Sequence, residues 1–428
     1  VPTGCLGDGD GRVKEEELVH VYVLGLGAIG FVTGQDLANS ADFDRVTLAD
    51  ASPRAISRLR ARIGDPMHVT YRQVDAGDWR ALEQEFQDVD LVINVLEPRF
   101  NVAVMQACLR ARANYMDLAQ GGPRHRTGTP DSFEFFGWSQ QFKDLGLLGI
   151  LGMGMDPGVT NVLARYGADR MDEVRYIGVR DGDSGVVAGM EDRFYSLWSP
   201  SIAIEECLSP AMIWEDGDYR RIGLFQDPEV FPFPEPVGPQ TCYVVDHEEA
   251  KSIPLFLPGI REKGLRRCDF KYSLDEDFIN VLLVLKKLGL ESPFPIDVKG
   301  MQVAPRDVVV ALMPNPAEVD GDATGWGLIG SLIEGVHQGR PQKLFYYVKN
   351  SYEACRAELG ASAVAYQTGR PPAAVAGLLA RDELTIAGVV PSGCYPCESF
   401  DAEPIIESLA ASNIVMEIAD LTDVVADH

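Results

Sequence analysis

Apolar positions follow two rhythms along this chain. Short unbroken runs, such as "VHVYVLG" (19–25), "VTLAD" (46–50), "VDLVINVL" (89–96), "NYMDLA" (114–119) and "LLGILGMG" (147–154), predict strands buried on both faces. Between them lie segments with helical spacing: "IGFVTGQDLANS" (29–40), "SPRAISRLRARIG" (52–64), "DWRALEQEF" (78–86) and "NVAVMQACLRARA" (101–113). Ser52 is placed to cap the second of these, with Pro53 at its first position, and Asp78 to cap the third. Strands alternating with helices predict an α/β protein built on a doubly wound parallel sheet. Ligands of such sheets lie beyond the carboxyl ends of the strands. The residues there are Asp75, Ala76, Asn94, Glu97, Pro98 and Asp117.

The first strand runs into Gly25-x-Gly27-x-x-Gly30, a helix follows, and the second strand closes on Asp50. Strand, glycine turn, helix, strand and acid together form a dinucleotide-binding fingerprint. Gly25 permits the turn, Gly27 admits the pyrophosphate to the backbone, and Gly30 lets helix and strand pack closely. The free N–H groups of the helix N-terminus then face the phosphates. A carboxylate at Asp50 suits the ribose hydroxyls and favours NAD, while Arg54 offers a partner for the extra phosphate of NADP.

A second turn has similar character. "LLGILGMG" leads through Asp156-Pro157-Gly158 into "VTNVLARYGADR", a strand-to-helix joint. Asp156 is expected to cap this helix, Pro157 to fit its first turn, and Gly158 to admit a ligand. A helix start of this kind also suits a substrate carboxylate.

Composition narrows the partners. The 428 residues carry 64 acidic and 38 basic side chains, a net charge of −26, which disfavours nucleic acid and anionic membranes. No run of 18 apolar residues predicts a membrane span. Eight cysteines are sparse and point to a reduced, cytoplasmic protein. The close pair Cys394 and Cys397 ("CYPC") lacks nearby zinc ligands and reads as packing, as does Cys108 within an apolar helix face. The six histidines form no HxxxH or HExxH pattern, so no metal is expected. "DGDGRVKEEE" (8–17) resembles the later part of a calcium loop, but Leu6 stands at its first ligand position; residues 1–17 read as a flexible acidic leader.

Longer stretches carry a resemblance. "LVINVLEPRFNVAVMQACLRARANYMDLA" (91–119), "LGMGMDPGVTNVLA" (151–164), "YSLWSPSIAIEECLSPAMIWEDGDYRRI" (195–222), "VAYQTGRPPAAVAGLL" (364–379) and "GVVPSGCYPCESFDAEPIIESLAASNI" (388–414) are together similar to the saccharopine dehydrogenase family. The resemblance implies an NAD(P)-dependent enzyme that makes or breaks a secondary amine. In the reductive direction, hydride reduces the imine between an amine and an amino-acid semialdehyde. A saccharopine-type substrate is expected. Carboxynorspermidine or carboxyspermidine dehydrogenase and lysine 6-dehydrogenase share the pattern, and a non-catalytic NAD-binding protein is the reading from another class. The family architecture implies a Rossmann-type domain over 18–155 and a mixed α/β substrate and dimerisation domain over 156–365. The resemblance further implies that a segment over 366–428 returns to the first domain and that the protein is a homodimer acting on a small amino acid or polyamine.

Carried over, Gly25, Gly27, Ala28, Ile29 and Gly30 would hold the pyrophosphate and Asp50 the ribose. Asp75 and Ala76 would lie near adenine, Asn94 and Pro98 would edge the nicotinamide, and Asp117 and Asp156 would face substrate. Several members carry Arg-Tyr-Pro-Gly-His in the substrate domain, where this chain has "RRCDFKYSLDEDFINVLLVLKKLGL" (266–290). There Lys271 is a candidate carboxylate ligand or acid, and Tyr272 a candidate proton donor. Arg266, Arg267 and the run Arg124, His125, Arg126 are further cations that could hold substrate carboxylates. The loop "GDSGVVAG" (182–189) reads as a lid or a surface turn.

Overall fold

The computed structural model describes residues 19–119, 136–314, 316 and 322–424. The leader and the run Arg124, His125, Arg126 lie outside the described residues. The first sheet has seven parallel strands: β1 (His20–Leu24), β2 (Arg45–Asp50), β3 (Val69–Gln73), β4 (Leu91–Asn94), β5 (Asn114–Asp117), β6 (Leu148–Leu151) and β19 (Gly393–Pro396). Their order is β19-β6-β5-β4-β1-β2-β3. Every residue of β1, β4 and β6 is buried, which is why these strands read as unbroken apolar runs. The crossover helices are α1 (Ala28–Asn39), α2 (Pro53–Ile63), α3 (Trp79–Glu85), α4 (Asn101–Ala111) and α5 (Phe136–Asp144). Ser52 caps α2 by accepting from the Ala55 N–H, and Asp78 caps α3, as their positions predict.

From the joint at 152–158 the chain enters α6 (Val159–Asp169) and a second, mixed sheet of nine strands. Its main path is β10 (Asp218–Ile222), β9 (Ala211–Glu215), β13 (Arg267–Ser273), β7 (Glu173–Asp183), β17 (Trp326–His337), β18 (Arg340–Ser351) and β20 (Glu417–Asp420). Two further strands, β11 (Glu229–Pro232) and β12 (Pro239–Val244), attach beside β13. Of these pairings only β13 with β7 is parallel. Helices α7 (Pro200–Leu208), α8 (Glu249–Phe256), α9 (Glu276–Leu288) and α10 (Pro305–Leu312) belong to this domain. Two small ribbons stand apart: β8 (Val186–Val187) with β16 (Ala323–Thr324), and β14 (Ile296–Val298) with β15 (Met301–Val303). The first ribbon pins part of the 182–189 loop.

The chain then returns to the first domain. After α11 (Tyr352–Leu359), the long α12 (Ala363–Ala380) lies against α1, where the Thr33 hydroxyl donates to the Gly369 carbonyl at 2.8 Å. A Cβ on Gly369 would stand 2.7 Å from the Ile29 carbonyl, so the contact needs glycine. β19 then completes the first sheet, α13 (Ala402–Ala411) follows, and β20 crosses back to pair with β18. The C-terminal segment therefore serves both domains. No helix among the described residues is long and apolar enough to cross a membrane.

Candidate active site

Two cavities meet between the domains. The first, of about 540 Å³, is lined by Gly27, Ala28, Ile29 and Gly30 at the start of α1, by Ser52, Arg54 and Arg58 beside α2, and by Trp198 and Ser199. Gly25 holds φ +101°. A Cβ on Gly30 would fall 1.9 Å from the Gly25 carbonyl, so the turn and the helix start fix each other. A Cβ on Gly27 would meet nothing within 4 Å. That open side faces the cavity, as a backbone that receives a pyrophosphate requires. No side chain caps α1, so its first N–H groups stay available to an anion.

Around this cavity the other expected cofactor residues divide. Asp50 accepts from the Leu26 N–H at 2.6 Å and the Ser52 N–H at 2.7 Å, so its carboxylate braces the glycine turn. Pro98 lines the second cavity. Asn94 does not reach either cavity; it is buried and bonds Asn101 at 2.8 Å and the Leu96 N–H at 3.3 Å. Asp75 is exposed and turns back to the Gly77 N–H, and Ala76 is buried; neither lines a cavity.

The second cavity, of about 290 Å³, shares Ile29, Val95, Trp198, Ser199 and Val364 with the first. Its charged lining is Glu97, Asp156, Asp181, Asp183, Glu206 and Glu248, with His247 and Tyr272. No lysine or arginine lines it among the described residues. Asp156 is not the cap of α6. Gly158, at φ +135°, is the N-cap, and the Asn161 side chain accepts its N–H at 2.9 Å. A Cβ on Gly158 would lie 2.2 Å from the Gly154 carbonyl, so the glycine makes the turn and frees the Asp156 carboxylate for the cavity. Asp156 and Asp181 make no hydrogen bond or ion pair among the described residues. Burial, then the neighbouring charge of Asp183, pushes Asp181 up to about 8. Burial likewise raises Glu206 to about 8 and Asp183 to about 6, and lifts Asp156 and Glu248. Taken out of water, these carboxylates ask for a cation.

One relay crosses the cavity wall. His247 Nδ1 is hydrogen-bonded to Glu249, which also accepts from the Thr160 hydroxyl at 2.8 Å. His247 Nε2 lies 3.3 Å from the Tyr272 hydroxyl, which donates to Glu206 at 3.3 Å. The imidazole stacks on Phe270 with ring centres 3.9 Å apart. Burial opposes charge on His247, but Glu249, Glu206 and Glu248 more than offset it and hold the imidazole well above its ordinary range. His247, Glu248 and Glu249 also bring three metal-ligand-type atoms within 4.8 Å of one another. Two of these residues, His247 and Glu249, are already bonded to each other.

Two expected catalytic residues lie elsewhere. Asp117 sits beneath the cavity, accepting from the Gly152 N–H at 2.6 Å, the Tyr115 hydroxyl at 2.9 Å and Asn101 at 3.2 Å. Burial pushes it up to about 7. It holds the 152–156 loop rather than facing substrate, and the Cys397 thiol, donating to the Gly152 carbonyl at 3.2 Å, holds the same loop. Lys271 is on the reverse face of β13 from Tyr272, paired with Asp227 at 3.3 Å and Glu229 at 3.5 Å. Arg267 is on that reverse face too, bonded to Asp269, and Arg266 lines neither cavity. The sequence reading missed Asp181, Asp183, Glu206, His247 and Glu248. Signals for them existed. Asp181 and Asp183 share a strand face, and "DHEEA" (246–250) packs acids around a histidine between a strand and a helix.

Both parts of the chain resemble known proteins. Residues 21–132 match the model of the saccharopine dehydrogenase NADP binding domain, and residues 154–414 that of the saccharopine dehydrogenase C-terminal domain. A carboxyaminopropylagmatine dehydrogenase of Synechocystis is 30% identical over 401 residues, spanning 92% of this chain and 95% of that one. A carboxynorspermidine synthase of Vibrio alginolyticus is 26% identical over 94% of this chain and 97% of its own. Among solved structures, the saccharopine dehydrogenase (L-Glu forming) of Saccharomyces cerevisiae superposes with a TM-score of 0.68 at 15% identity, covering 94% and 99% of the two chains. The homospermidine synthase of Legionella pneumophila, in complex with NAD, gives 0.65 at 15% identity, covering 94% and 92%.

Proposed function

The chain belongs to the saccharopine dehydrogenase family of NAD(P)-dependent oxidoreductases, and from that premise we propose that its substrate is a cationic amine of the polyamine class. The reaction joins this amine to an amino-acid semialdehyde and reduces the resulting imine to a secondary amine. The carrying observation is the make-up of the second cavity: six carboxylates line it against one imidazole, His247, with no lysine or arginine among the described residues. Saccharopine carries three carboxylates and two amines, and a cavity of this sign repels it. A diamine or a guanidino amine meets its charge.

Gly27, Ala28, Ile29 and Gly30 at the start of α1 would hold a dinucleotide, which would supply the hydride for the imine carbon. The chain's own residues prepare that carbon. Asp156 and Asp181 stabilise a protonated imine nitrogen, whose positive charge makes the carbon a better hydride acceptor. Loss of water from the carbinolamine needs a proton on its hydroxyl. Tyr272, held between His247 and Glu206, is the donor at the cavity wall. Asp117 acts by fixing the loop that carries Asp156.

The test is reductive turnover with aspartate semialdehyde and, in turn, diaminopropane, putrescine and agmatine, against aminoadipate semialdehyde with glutamate. Turnover with a cationic amine and none with glutamate is expected. Turnover with glutamate alone overturns the reading.

A further inference from the structure

Cys394 and Cys397 read as packing in the sequence, and both thiols are buried. The residue that follows them is not explained by packing. Glu398 lies in the single turn Cys397–Ser399, just past β19, and is fully buried. Burial pushes its carboxyl up to about 7, and its Oε1 has no hydrogen-bond partner among the described residues. A carboxylate held out of water in this way is a cost to folding. Its other oxygen is engaged. Glu398 Oε2 accepts at 2.9 Å from Nδ2 of Asn161, in the first turn of α6. The Ser252 hydroxyl of α8 stands beside both groups and accepts from the same Asn161 nitrogen at 3.3 Å. Arg165, one turn further along α6, donates to the Glu398 and Ser399 backbone carbonyls at 3.4 and 3.3 Å, which fastens the turn to the helix.

We propose that Glu398 is a positioning residue for the reaction: through Asn161 it sets the turn that presents Asp156 to the second cavity. This role rests on the one proposed above for Asp156, which stabilises the protonated imine nitrogen. The two ends of a side-chain amide are alike in shape and opposite in polarity. With Nδ2 given to Glu398, Asn161 Oδ1 faces the Gly158 N–H and accepts from it at 2.9 Å. With the amide turned over, its nitrogen would meet that N–H donor to donor, and the turn at Gly158 would open. Asp156 stands two residues before Gly158, so its carboxylate would move with the turn. The neighbour of Glu398 grips the other end of the loop, where the Cys397 thiol donates to the Gly152 carbonyl at 3.2 Å. Two adjacent residues of the C-terminal segment thus hold both ends of the 152–158 loop, and neither lines the cavity. The same turn of α6 is tied to the relay: Thr160 donates at 2.8 Å to Glu249, the partner of His247.

Steady-state kinetics of Glu398 variants test this, with whichever amine and semialdehyde the wild type turns over; the choice of substrate and the role of Glu398 are then judged separately. Glu398→Asp keeps the charge and withdraws the carboxylate from Asn161 by one methylene. Its kcat/KM for the amine should fall about tenfold, through kcat and with KM for the nucleotide unchanged, as for a small displacement of a group beside the reacting atoms. Glu398→Gln keeps the reach and loses the charge. It still offers Asn161 an acceptor, so kcat/KM should stay within about threefold of the wild type. Neither change adds volume, and the turn is held through its backbone, so the fold is kept. On an Asp156→Asn background, itself impaired, Glu398→Asp should cost less than about twofold, because both changes act on one group. A merely structural Glu398 would cost the same on either background. The proposal is overturned by Glu398→Asp without effect, by Glu398→Gln as impaired as Glu398→Asp, by full additivity with Asp156→Asn, or by an Asp156→Asn enzyme as active as the wild type.

Discussion

Arg180 and Asp181 are adjacent on β7 and lie on opposite faces of the second sheet. Arg180 is completely buried, and its charge is satisfied by Glu229, by Asp269 at 2.8 Å and by the Tyr176 hydroxyl. Asp269 is in turn bonded to Arg267 at 2.7 Å, and Lys271 closes the same cluster through Asp227 and Glu229. One residue on, Asp181 faces the cavity with no partner among the described residues, next to Asp183 and across from Tyr272 in the neighbouring strand. Burial alone therefore does not separate structural from functional charge here; pairing does. On the reverse face every buried cation has its anion. On the cavity face His247 is the one basic side chain in the lining among the described residues, and Asp156 and Asp181 have no hydrogen-bonded or ion-paired partner there.

The largest effect should come from breaking the paired face. Arg180→Met strands Asp269 and Glu229 in a low-dielectric layer with one partner fewer each. Removing one member of a buried pair costs about 3–5 kcal/mol. Urea denaturation should show a loss of that order, with nucleotide affinity of the surviving folded protein unchanged. A loss well under 1 kcal/mol would mean that the reverse face is not the structural one.

Asp181→Asn attacks the other face and should reverse the pattern. The variant keeps the shape and removes the charge. The kcat/KM for the amine should fall about 100-fold, close to 2.7 kcal/mol of transition-state stabilisation. Stability should hold or rise, since an unpaired buried carboxylate is a cost to folding. The pH dependence gives the sign. The Asp181 carboxyl sits at about 8 when folded, against an ordinary 3.8, so the folded chain keeps a proton that the unfolded chain releases between those values. Its contribution to stability is whole below about pH 4 and is lost as pH rises through about 8. Asp181→Asn should flatten that decline in thermal melts. Amine binding runs the other way, with KM falling as the carboxylate forms near pH 8. An unchanged kcat/KM in the variant would remove Asp181 from the substrate site.

The contrast also explains what the sequence made legible. The first sheet could be read because its burial is two-sided: apolar runs, glycine turn, Ser52 and Asp78 caps are all local patterns. The glycine turn at 25–30 and the strand-to-helix joint at 156–158 were legible as turns for the same reason. Asp117 was misread because a strand-end acid looks the same whether it faces a ligand or the Gly152 N–H. Lys271 was misread because alternation within β13 gives two faces but not their identity. That identity depends on Asp227 and Glu229, some forty residues earlier. The acidic cavity collects residues from β7, α7 and the 245–248 turn, and no local pattern joins them. The end of the return segment was hidden for a related reason: β20 is four residues long, and its place beside β18 is a tertiary fact.

The same contrast of paired and waiting charge extends along the cleft, at the dinucleotide end and with opposite sign. Arg58 is engaged by the Leu26 and Gly27 carbonyls at 3.2 and 3.0 Å. Arg54 lines the same cavity and makes no hydrogen bond or ion pair among the described residues. It is the cationic counterpart of Asp181, placed where an added ribose phosphate is held in such folds. Arg54→Ala should raise KM for NADPH about tenfold, near 1.4 kcal/mol, and leave KM for NADH within a factor of two. Asp50→Asn makes the complementary probe. It weakens the brace on the Leu26 N–H, so both nucleotides should suffer alike. Steady-state kinetics with the two nucleotides separate the outcomes. If Arg54→Ala weakens neither, an unpaired charge in this protein does not by itself mark a ligand site, and the reading of Asp181 loses its closest parallel.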